Sequence, residues 1–347
     1  MKYIILFFIL ASLARAQGEC QSGKLLKVFK PKYALGFYIE YFANYKIIHS
    51  KSYRYILNIN GKIKNCSNEF EIKKIPERLI LTSTTYITSI EEINLENIIV
   101  GFQGVDFIYS DKINKKNIVD IGYSLEVEQL LKLKPELVIA YEDNLSNKKK
   151  LEQFYKFNIP IVFNYDYFET NALARAEWRI FNAAFFDKEE LAIKKFNEIE
   201  IKYLQLKENQ KSKKRKLILM GTIENGKWVT PGGSSDLAQI IEDAGGELIL
   251  KRGSNLTQYI SLEEIKTLVK TPDLWILNNG KKGDDYIKIN PHYKKFLNID
   301  KYNYTKKVKY KANDFWESGV ARPDMLLEDF VKMVNGDNSS LVWYSKI

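Results

Sequence analysis

The chain has 347 residues, 45% of them hydrophobic and 28% charged, which allows two globular domains and excludes a disordered or fibrous protein. Its formal net charge is +10 at pH 7, but the lysines are scattered along the chain, so we predict a solvated basic surface and no nucleic-acid partner. Only two histidines and two cysteines occur, too few for a metal centre built from several imidazole or thiolate ligands.

Residues 1–16 have the composition of a secretion signal. Lys2 supplies a positive charge, an apolar run follows at 4–11, and Ala14-Arg15-Ala16 forms a cleavage site of the A-x-A type. The apolar run is shorter than the roughly 20 residues that span a bilayer, so an uncleaved membrane anchor is the less favoured alternative. We therefore predict an exported protein whose mature chain begins at Gln17.

The two cysteines, Cys20 and Cys66, would both meet an oxidising compartment after export. They are candidates for a disulfide that ties down the N-terminal part of the chain. A lipid on Cys20 is less expected, because Glu19 stands where a lipoprotein signal has a small residue.

Residues 17–75 have the pattern of β-strands. Apolar and aromatic residues alternate with polar ones from Phe37 to Tyr41 and again around Tyr45 and Tyr55, and Asn60-Gly61 is a typical hairpin turn. We predict a small antiparallel β extension that precedes the main fold.

The stretch 76–186 alternates short apolar runs with helical patterns, which predicts an α/β lobe with a parallel sheet. The apolar runs end in loops rich in aromatic and polar residues. Ligands of open parallel sheets bind outside the carboxyl ends of the strands, so these loops are the expected place for a site.

A helix-then-strand unit occurs twice in the chain. Ser124 to Tyr141 aligns without a gap with Ser261 to Leu277 at an offset of 137 residues, with seven identities. Two unrelated units that share a Ser cap and a Pro stop are the alternative explanation. The repeat favours two similar Rossmann-like α/β lobes.

A long helical stretch separates the two predicted lobes. It comprises a first helix at 172–186 and an interlobe helix within 187–211, and the second lobe occupies 212–347. A stiff helical connector limits opening and closing of the lobes to a modest hinge or twist.

Two further motifs lie in the second lobe. The glycine-rich loop at 228–235 precedes a helix, but it lacks the spacing of a P-loop or of G-x-G-x-x-G, so a nucleotide site is weakly indicated. The other motif, at 313–323, holds two aromatic residues and one arginine just before the last helix.

These motifs, together with LKPELVIAY, RAEW at 175–178, IEDAGGELI and SGVARPD, resemble the periplasmic substrate-binding proteins of ABC importers for iron-siderophore complexes, haem and cobalamin. The resemblance covers about Pro76 to the C-terminus and is closest to a branch seen in Bacteroidetes-type bacteria. It implies an α/β fold of two lobes with central sheets, one long rigid helix joining them, and a ligand cleft between them. It also implies a monomer in the periplasm that passes an iron chelate to an ABC permease and its ATPase. A corrinoid and haem are the alternative ligands.

The expected ligand site is aromatic and cationic. Flat aromatic faces suit a macrocycle or an aromatic chelate, and arginines suit carboxylates. The aromatic candidates are Tyr86, Phe102, Tyr141, Tyr165, Tyr167, Trp228 and Trp316, and the cationic candidates are Arg175 and Arg322. Arg175 has an alternative role, pairing with Glu177 on its own helix.

The resemblance also implies one acidic residue near the start of a helix on each lobe, which meets arginines of the permease. The position relative to LKPELV indicates Glu128 in the first lobe, and the position before Gly245-Gly246 indicates Glu242 in the second. Ordinary solvated helix charges are the alternative for both.

Two other classes of function compete with transport. An exported enzyme would need a nucleophile, acid or metal motif, and neither G-x-S-x-G nor H-E-x-x-H occurs, so we predict no enzymatic activity. A cell-surface adhesion module is the third possibility, because the predicted N-terminal extension is rich in tyrosine.

Overall fold

The structure is a computed structural model that describes residues 23–58, 70–123, 127–142, 145–211, 214–251, 253–268, 271–277, 299–304, 313–337 and 339–347. The predicted signal peptide and both cysteines, Cys20 and Cys66, lie outside these residues. No helix in the described ranges is long and apolar enough to cross a membrane.

The N-terminal extension forms a five-stranded sheet in sequence order. Its strands are β1 (Leu25–Phe29), β2 (Phe37–Phe42), β3 (Lys46–Ser50), β4 (Tyr53–Leu57) and β5 (Phe70–Ile72). The first four pair antiparallel, as predicted, but β5 pairs parallel with β4. The strands on either side of Asn60-Gly61 are therefore not the two arms of a hairpin, and Asn60 and Gly61 themselves lie outside the described residues.

The first lobe is built on a five-stranded sheet in which all neighbours are parallel. Its order is β10-β9-β6-β7-β8, with β6 (Leu79–Leu81), β7 (Ile99–Phe102), β8 (Val119–Asp120), β9 (Leu137–Ala140) and β10 (Ile161–Phe163). The connections include α1 (Ile87–Glu91), α2 (Val127–Lys132) and α3 (Leu145–Glu152). Strands β6, β9 and β10 are buried throughout, as expected for a sheet covered on both faces.

The extension covers the outer edge of this sheet. Strand β10 is an edge strand, and its Phe163 N–H donates to the Tyr55 hydroxyl at 3.0 Å while its carbonyl accepts from the Ser50 hydroxyl at 3.0 Å. The Glu177 carboxylate, on the helix that follows the lobe, accepts the backbone N–H groups of residues 32–34 at 2.7 to 2.9 Å. Side chains therefore satisfy the edge strand that would otherwise be open to another chain.

Two helices connect the lobes, α4 (Ala172–Ala184) and α5 (Glu189–Glu208). The side chain of Asn171 caps α4 by accepting from the backbone N–H groups of Leu173 and Ala174. Between the helices, Asp187 adopts a left-handed conformation with φ of 56°, which ends the first helix and lets the second start in a new direction.

The second lobe has a main sheet of order β14-β11-β16-β17-β18. Its strands are β11 (Lys216–Met220), β14 (Gly246–Leu248), β16 (Leu274–Ile276), β17 (Asp300–Tyr304) and β18 (Tyr344–Lys346), of which only β18 is antiparallel to its neighbour. A second, antiparallel sheet contains β12 (Thr222–Glu224), β13 (Lys227–Thr230) and β15 (Gln258–Ser261). The helices are α6 (Asp236–Asp243), α7 (Leu262–Leu268) and α8 (Pro323–Asn335).

The internal repeat corresponds to equivalent elements of the two lobes. Helix α2 and strand β9 in the first lobe match α7 and β16 in the second, and β9 and β16 each lie beside the first strand of their sheet. Those first strands, β6 and β11, begin at Leu79 and Lys216, which are also 137 residues apart. The prediction of two similar α/β lobes joined by a long helix is confirmed.

Candidate functional site

The loops at the carboxyl ends of β9 and β10 form an aromatic surface on the first lobe. The Tyr165 hydroxyl donates to the Glu142 carboxylate at 2.6 Å, and the Tyr167 hydroxyl donates to the Glu142 carbonyl at 2.6 Å. The ring of Tyr167 lies 4.5 Å from that of Phe168, which is 46% exposed. Tyr141, the residue before Glu142, is half-buried. Three aromatic side chains, Tyr141, Tyr167 and Phe168, therefore remain accessible at this edge.

Three of the predicted aromatic contacts are buried in the first lobe. Tyr86 and Phe102 are at most 1% exposed and belong to the core, and Tyr165 is 3% exposed. Tyr86 donates its hydroxyl hydrogen to the carbonyl of Asn164 at 3.4 Å. These side chains shape the loops from below and offer no free face to a ligand.

Trp228 lies in the core of the second lobe, where it has no exposed surface. Its indole N–H donates to the carbonyl of Met220 at 3.2 Å, and its ring lies 6.1 Å from that of Trp275. Gly221 makes room for it, because a Cβ there would lie 2.6 Å from the indole nitrogen. The structure therefore does not bring Trp228 to the ligand site that we expected.

Trp316 is exposed in the loop that precedes α8. It is 52% exposed and packs edge-on against Phe315, whose ring is 5.1 Å away and buried. With Arg175 and Asp236 it lines a small cavity of about 30 Å³ between the lobes. Of the seven predicted aromatic residues, Tyr141, Tyr167 and Trp316 remain accessible.

Arg175 joins the two lobes. Its Nε donates to Asp166, in the loop after β10, at 3.1 Å, and its Nη1 donates to Asp236, the first residue of α6, at 2.9 Å. Burial alone would lower the pKa of Arg175, but the two carboxylates outweigh it and raise the pKa above its ordinary value. The guanidinium is thus committed to a bridge between the lobes, and it does not pair with Glu177.

Arg322 is also held by a carboxylate of the protein. Its Nε and Nη2 donate to the two oxygens of Asp324 at 2.9 and 2.7 Å, and Asp324 is 1% exposed. This bidentate pair fixes the start of α8. Both predicted arginines are therefore paired with aspartates of the protein.

A groove of about 1160 Å³ lies between the lobes beside α5. The segment 88–115 of the first lobe lines one side and the segment 314–325 of the second lobe lines the other. Most of its side chains are charged, and Arg322 borders it while Trp316 borders the small cavity beside Arg175. Arg322 and Trp316, which we predicted to contact one ligand, therefore line different cavities.

Glu317 connects the two sides of this groove. It is 4% exposed, its carboxylate accepts from the Tyr109 backbone N–H at 2.7 Å, and its carbonyl accepts from the Thr88 hydroxyl at 3.0 Å. The pKa of Glu317 is raised to about 7, mainly because the carboxyl group is buried, and the nearby carboxylates of Glu91 and Asp314 offset part of the lowering by the backbone donors. A buried acid therefore joins the lobes.

The glycine-rich loop 231–235 is explained by packing. A Cβ on Gly232 would lie 2.1 Å from the carbonyl oxygen of Ser254, so only glycine allows the two loops to meet. Ser234 N–H donates to the same carbonyl at 2.9 Å, and Ser235 caps α6 by accepting from Ala238 N–H. The loop therefore holds the neighbouring segment 253–256 and shows no feature specific to phosphate.

The two predicted docking residues lie at opposite ends of their lobes. Glu128 is exposed in the first turn of α2, near the carboxyl ends of the strands. Glu242 lies in the last turn of α6, close to the start of β14, and pairs with Lys251. Our expectation that Glu242 stands near a helix start is therefore wrong.

Sequence reasoning missed Asp166, Asp236 and Phe168. The signal was present, because Asp166 and Phe168 directly follow a predicted strand and Asp236 follows the serine cap of a helix. In the parts of the chain that the structure describes, no group of three or more histidine, cysteine or acidic residues could hold a metal ion.

The main fold matches a known family model. The model, described as periplasmic binding protein, matches residues 79–297, which begins at β6 and leaves out the N-terminal extension. A curated relative, an uncharacterised lipoprotein of Methanocaldococcus jannaschii, is 24% identical over 287 residues and covers 77% of this chain and 67% of that protein.

Solved structures share the fold at low sequence identity. A possible iron-binding, periplasmic solute-binding protein from Staphylococcus epidermidis has a TM-score of 0.55 and 18% identity, covering 77% of this chain and 100% of that one. The periplasmic vitamin B12 binding protein BtuF of Vibrio cholerae has 0.56 and 13%, with 77% and 99% covered. The periplasmic haem-binding protein RhuT from Roseiflexus sp. RS-1 has 0.57 and 16%, with 75% and 97% covered.

Proposed function

Because the chain belongs to the periplasmic binding protein family, we propose that it is the substrate-binding component of an ABC importer. In this role it captures an iron chelate of the siderophore type and delivers it to the membrane permease and its ATPase. The family consists of solute-binding proteins, which supports a role in binding a solute rather than in catalysing a reaction.

One observation supports a ligand site between the lobes above all others. Arg175 bridges the two lobes through Asp166 and Asp236, and each lobe has accessible aromatic side chains in the loops concerned: Tyr167 and Phe168 directly follow Asp166, and Trp316 lines the cavity beside Arg175. Loops at the carboxyl ends of parallel strands are where α/β proteins hold ligands, and aromatic faces suit large planar or aromatic chelates.

The connector determines how the ligand enters. The cavity beside Arg175 and Trp316 has a volume of about 30 Å³, which is too small for a chelate, so the lobes must separate at this point before one binds. Helix α4 packs against α1 of the first lobe and against α6 and α8 of the second, and the 20-residue helix α5 packs along α4 and α8. A stiff connector of this kind favours small rotations of the lobes. We therefore propose a modest hinge motion in place of wide opening.

The ligand class has two alternatives, a corrinoid and haem. Solved structures of similar fold include binders of iron, vitamin B12 and haem, and the same aromatic cleft could serve each. We retain the iron chelate as the first proposal and use all three classes as probes.

We also propose that the chain is exported with a cleaved signal and begins at Gln17. The lipoprotein relative makes attachment through Cys20 the alternative. Intact-mass measurement of the protein from its native host distinguishes the two, because a lipid-modified chain would begin at Cys20 and carry the mass of its acyl groups.

Calorimetric titration tests the binding function. The probes are a ferric tris-catecholate, a ferric tris-hydroxamate, haem and cyanocobalamin. Truncating a central aromatic anchor typically costs about 2 kcal/mol, so Trp316→Ala should weaken binding of the accepted probe roughly thirtyfold. Phe157→Ala is the control, because Phe157 is 50% exposed at the opposite end of β10. A wild-type protein that binds none of the four probes would refute the proposal.

A further inference from the structure

Lys51 lies where the N-terminal extension meets the edge of the proposed ligand site. It lies in the tight turn between β3 and β4, with a left-handed φ of 49°, and its backbone N–H donates to the carbonyl of Gly36 at 3.1 Å. The adjacent Ser50 hydroxyl donates to the carbonyl of Phe163, the last residue of β10. The turn is thus fixed against the carboxyl end of that strand.

The Lys51 ammonium lies against two aromatic rings of the loop after β10. It is 3.4 Å from the centroid of Phe168 and 3.9 Å from that of Tyr165, distances at which a cation and an aromatic face attract each other. Partial burial lowers the pKa of Lys51, although the charges of Glu142 and Glu169 oppose this effect. The ammonium has therefore lost some water without gaining a directly bonded carboxylate.

Lys51 differs in this respect from the other cations near the site. Arg175 and Arg322 are paired with aspartates, and Lys148 donates to Glu142 at 3.2 Å. In the described part of the chain, Lys51 makes no hydrogen bond or ion pair with a carboxylate. A partly desolvated cation without such a partner gains more from an incoming anion than a paired one does.

The loop that Lys51 contacts is also the loop at which the two lobes meet. Asp166 of this loop holds Arg175, and the carbonyl of Phe168 lies 3.5 Å from the side-chain nitrogen of Asn255 in the second lobe. Leu256, next to it, is 56% exposed. The extension, the first lobe and the second lobe therefore converge at Phe168.

The extension is rigidly joined to this loop, so the position of Lys51 is well defined. One oxygen of Glu169, directly after Phe168, accepts the backbone N–H groups of Leu35 and Gly36 at 3.0 and 3.2 Å. The same oxygen accepts the indole N–H of Trp178, on α4, at 3.0 Å. A ligand that reaches the exposed part of Phe168 therefore meets the ammonium at a fixed place.

We propose that Lys51 contacts the bound ligand and makes the site selective for anionic chelates that carry aromatic groups. A catecholate group meets both parts of the subsite, because its ring stacks on Phe168 and its charge faces the ammonium. The proposal rests on the proposed function and adds to it a ligand charge and a residue outside the family's matched region.

The test compares probes of different charge on three variants. The anionic probes are the ferric tris-catecholate and haem, and the probes without net negative charge are the ferric tris-hydroxamate and cyanocobalamin. Lys51→Met removes the charge and keeps the length of the side chain, and Lys51→Arg restores the charge. Lys27→Met is the matched control, because Lys27 lies over the ring of Tyr41 at 5.7 Å on the same extension.

Lys51→Met should weaken binding of the anionic probe about tenfold or more, leave any binding of the other probes unchanged, and reduce the dependence of affinity on salt. Lys51→Arg should recover most of the loss, and Lys27→Met should behave as wild type. Equal affinity of Lys51→Met for the anionic probe, or an equal loss for both kinds of probe, would overturn the proposal while leaving the binding function intact. A wild-type protein that binds no probe would overturn both.

Discussion

At the residue scale, Glu317 makes the contact between the lobes sensitive to pH. Its pKa of about 7 lies above the ordinary value of 4.5, because it is buried and faces the carboxylates of Glu91 and Asp314, while the backbone N–H groups of Tyr109 and Ser110 partly offset this effect. Because the pKa of Glu317 is higher in the folded than in the unfolded protein, protonation of Glu317 stabilises the folded state. This contribution to the free energy of unfolding is complete below pH 4.5 and is lost as the pH rises through 7.

Glu317→Gln should remove this dependence, since glutamine resembles the protonated acid. We expect the variant to unfold at the same temperature as wild type at pH 4 and at a higher temperature at pH 8, where the free energies of unfolding differ by up to about 3 kcal/mol. Thermal unfolding across this range measures the effect, with the exposed Glu190→Gln on α5 as control. A constant difference between variant and wild type at all pH values would contradict the assignment.

The residue scale is also where prediction from sequence was least complete. The arginines and Trp228 were selected for their chemistry, but which carboxylate or core they meet depends on contacts between residues far apart in the chain. Arg175 meets Asp236, 61 positions away, across two lobes. Local pattern indicates Tyr167, in a loop after a strand, and Trp316, in a loop before a helix, because such loops are exposed. Trp228 instead lies on a strand whose inward face becomes clear only in the folded sheet.

At the element scale, the positions of helices α2 and α7 favour a different pair of docking candidates from the one predicted from sequence. Both helices begin near the carboxyl ends of their sheets, and each has an exposed glutamate in its first turn, Glu128 and Glu263, although the offset of the repeat places Ile265 opposite Glu128. Glu242 lies at the far end of α6, away from that surface. We therefore propose Glu128 and Glu263 as the residues that meet arginines of the permease.

Charge-reversal variants distinguish the pair Glu128 and Glu263 from the pair Glu128 and Glu242. Like charges opposed across an interface cost several kcal/mol, so Glu128→Arg combined with Glu263→Arg should abolish uptake of a radiolabelled iron chelate in cells and leave chelate affinity in solution unchanged. Glu128→Arg combined with Glu242→Arg should impair uptake no more than Glu128→Arg alone. Normal uptake by the first double variant would remove α7 from the docking surface.

The strands and helices themselves were largely predictable. Apolar runs of four or five residues predicted β6, β7, β9 and β10. The parallel pairing of β5 with β4 was not predictable, since Asn60-Gly61 between these strands has the pattern of an antiparallel hairpin turn. Nor was the burial of the extension against β10, which depends on single hydroxyl groups of Tyr55 and Ser50.

At the scale of the whole molecule, the lobes are joined by few but well-buried contacts. Arg175 bridges Asp166 and Asp236, Arg179 joins Glu92 to the carbonyl of Ala321, and Glu317 meets Tyr109 across the groove. The repeat in the sequence predicted the two lobes because its strands, β9 and β16, each lie beside the first strand of their sheet. It could not predict how they face each other, since the residues that join them lie outside the repeated unit.

The tryptophans of the protein give the most direct test of a ligand between the lobes. All five lie within the described residues, and four of them, at 178, 228, 275 and 343, are at most 1% exposed while Trp316 is 52% exposed. A ligand in the cleft therefore changes mainly the fluorescence of Trp316. Replacing that residue with phenylalanine keeps an aromatic ring but removes the signal.

The decisive measurement is a fluorescence titration of wild type and Trp316→Phe with the chelate that calorimetry shows to bind. We predict saturable quenching of wild type at the calorimetric affinity and little quenching of Trp316→Phe, although calorimetry still detects binding to that variant. Equal quenching of the two proteins would place the ligand away from Trp316 and contradict a site between the lobes.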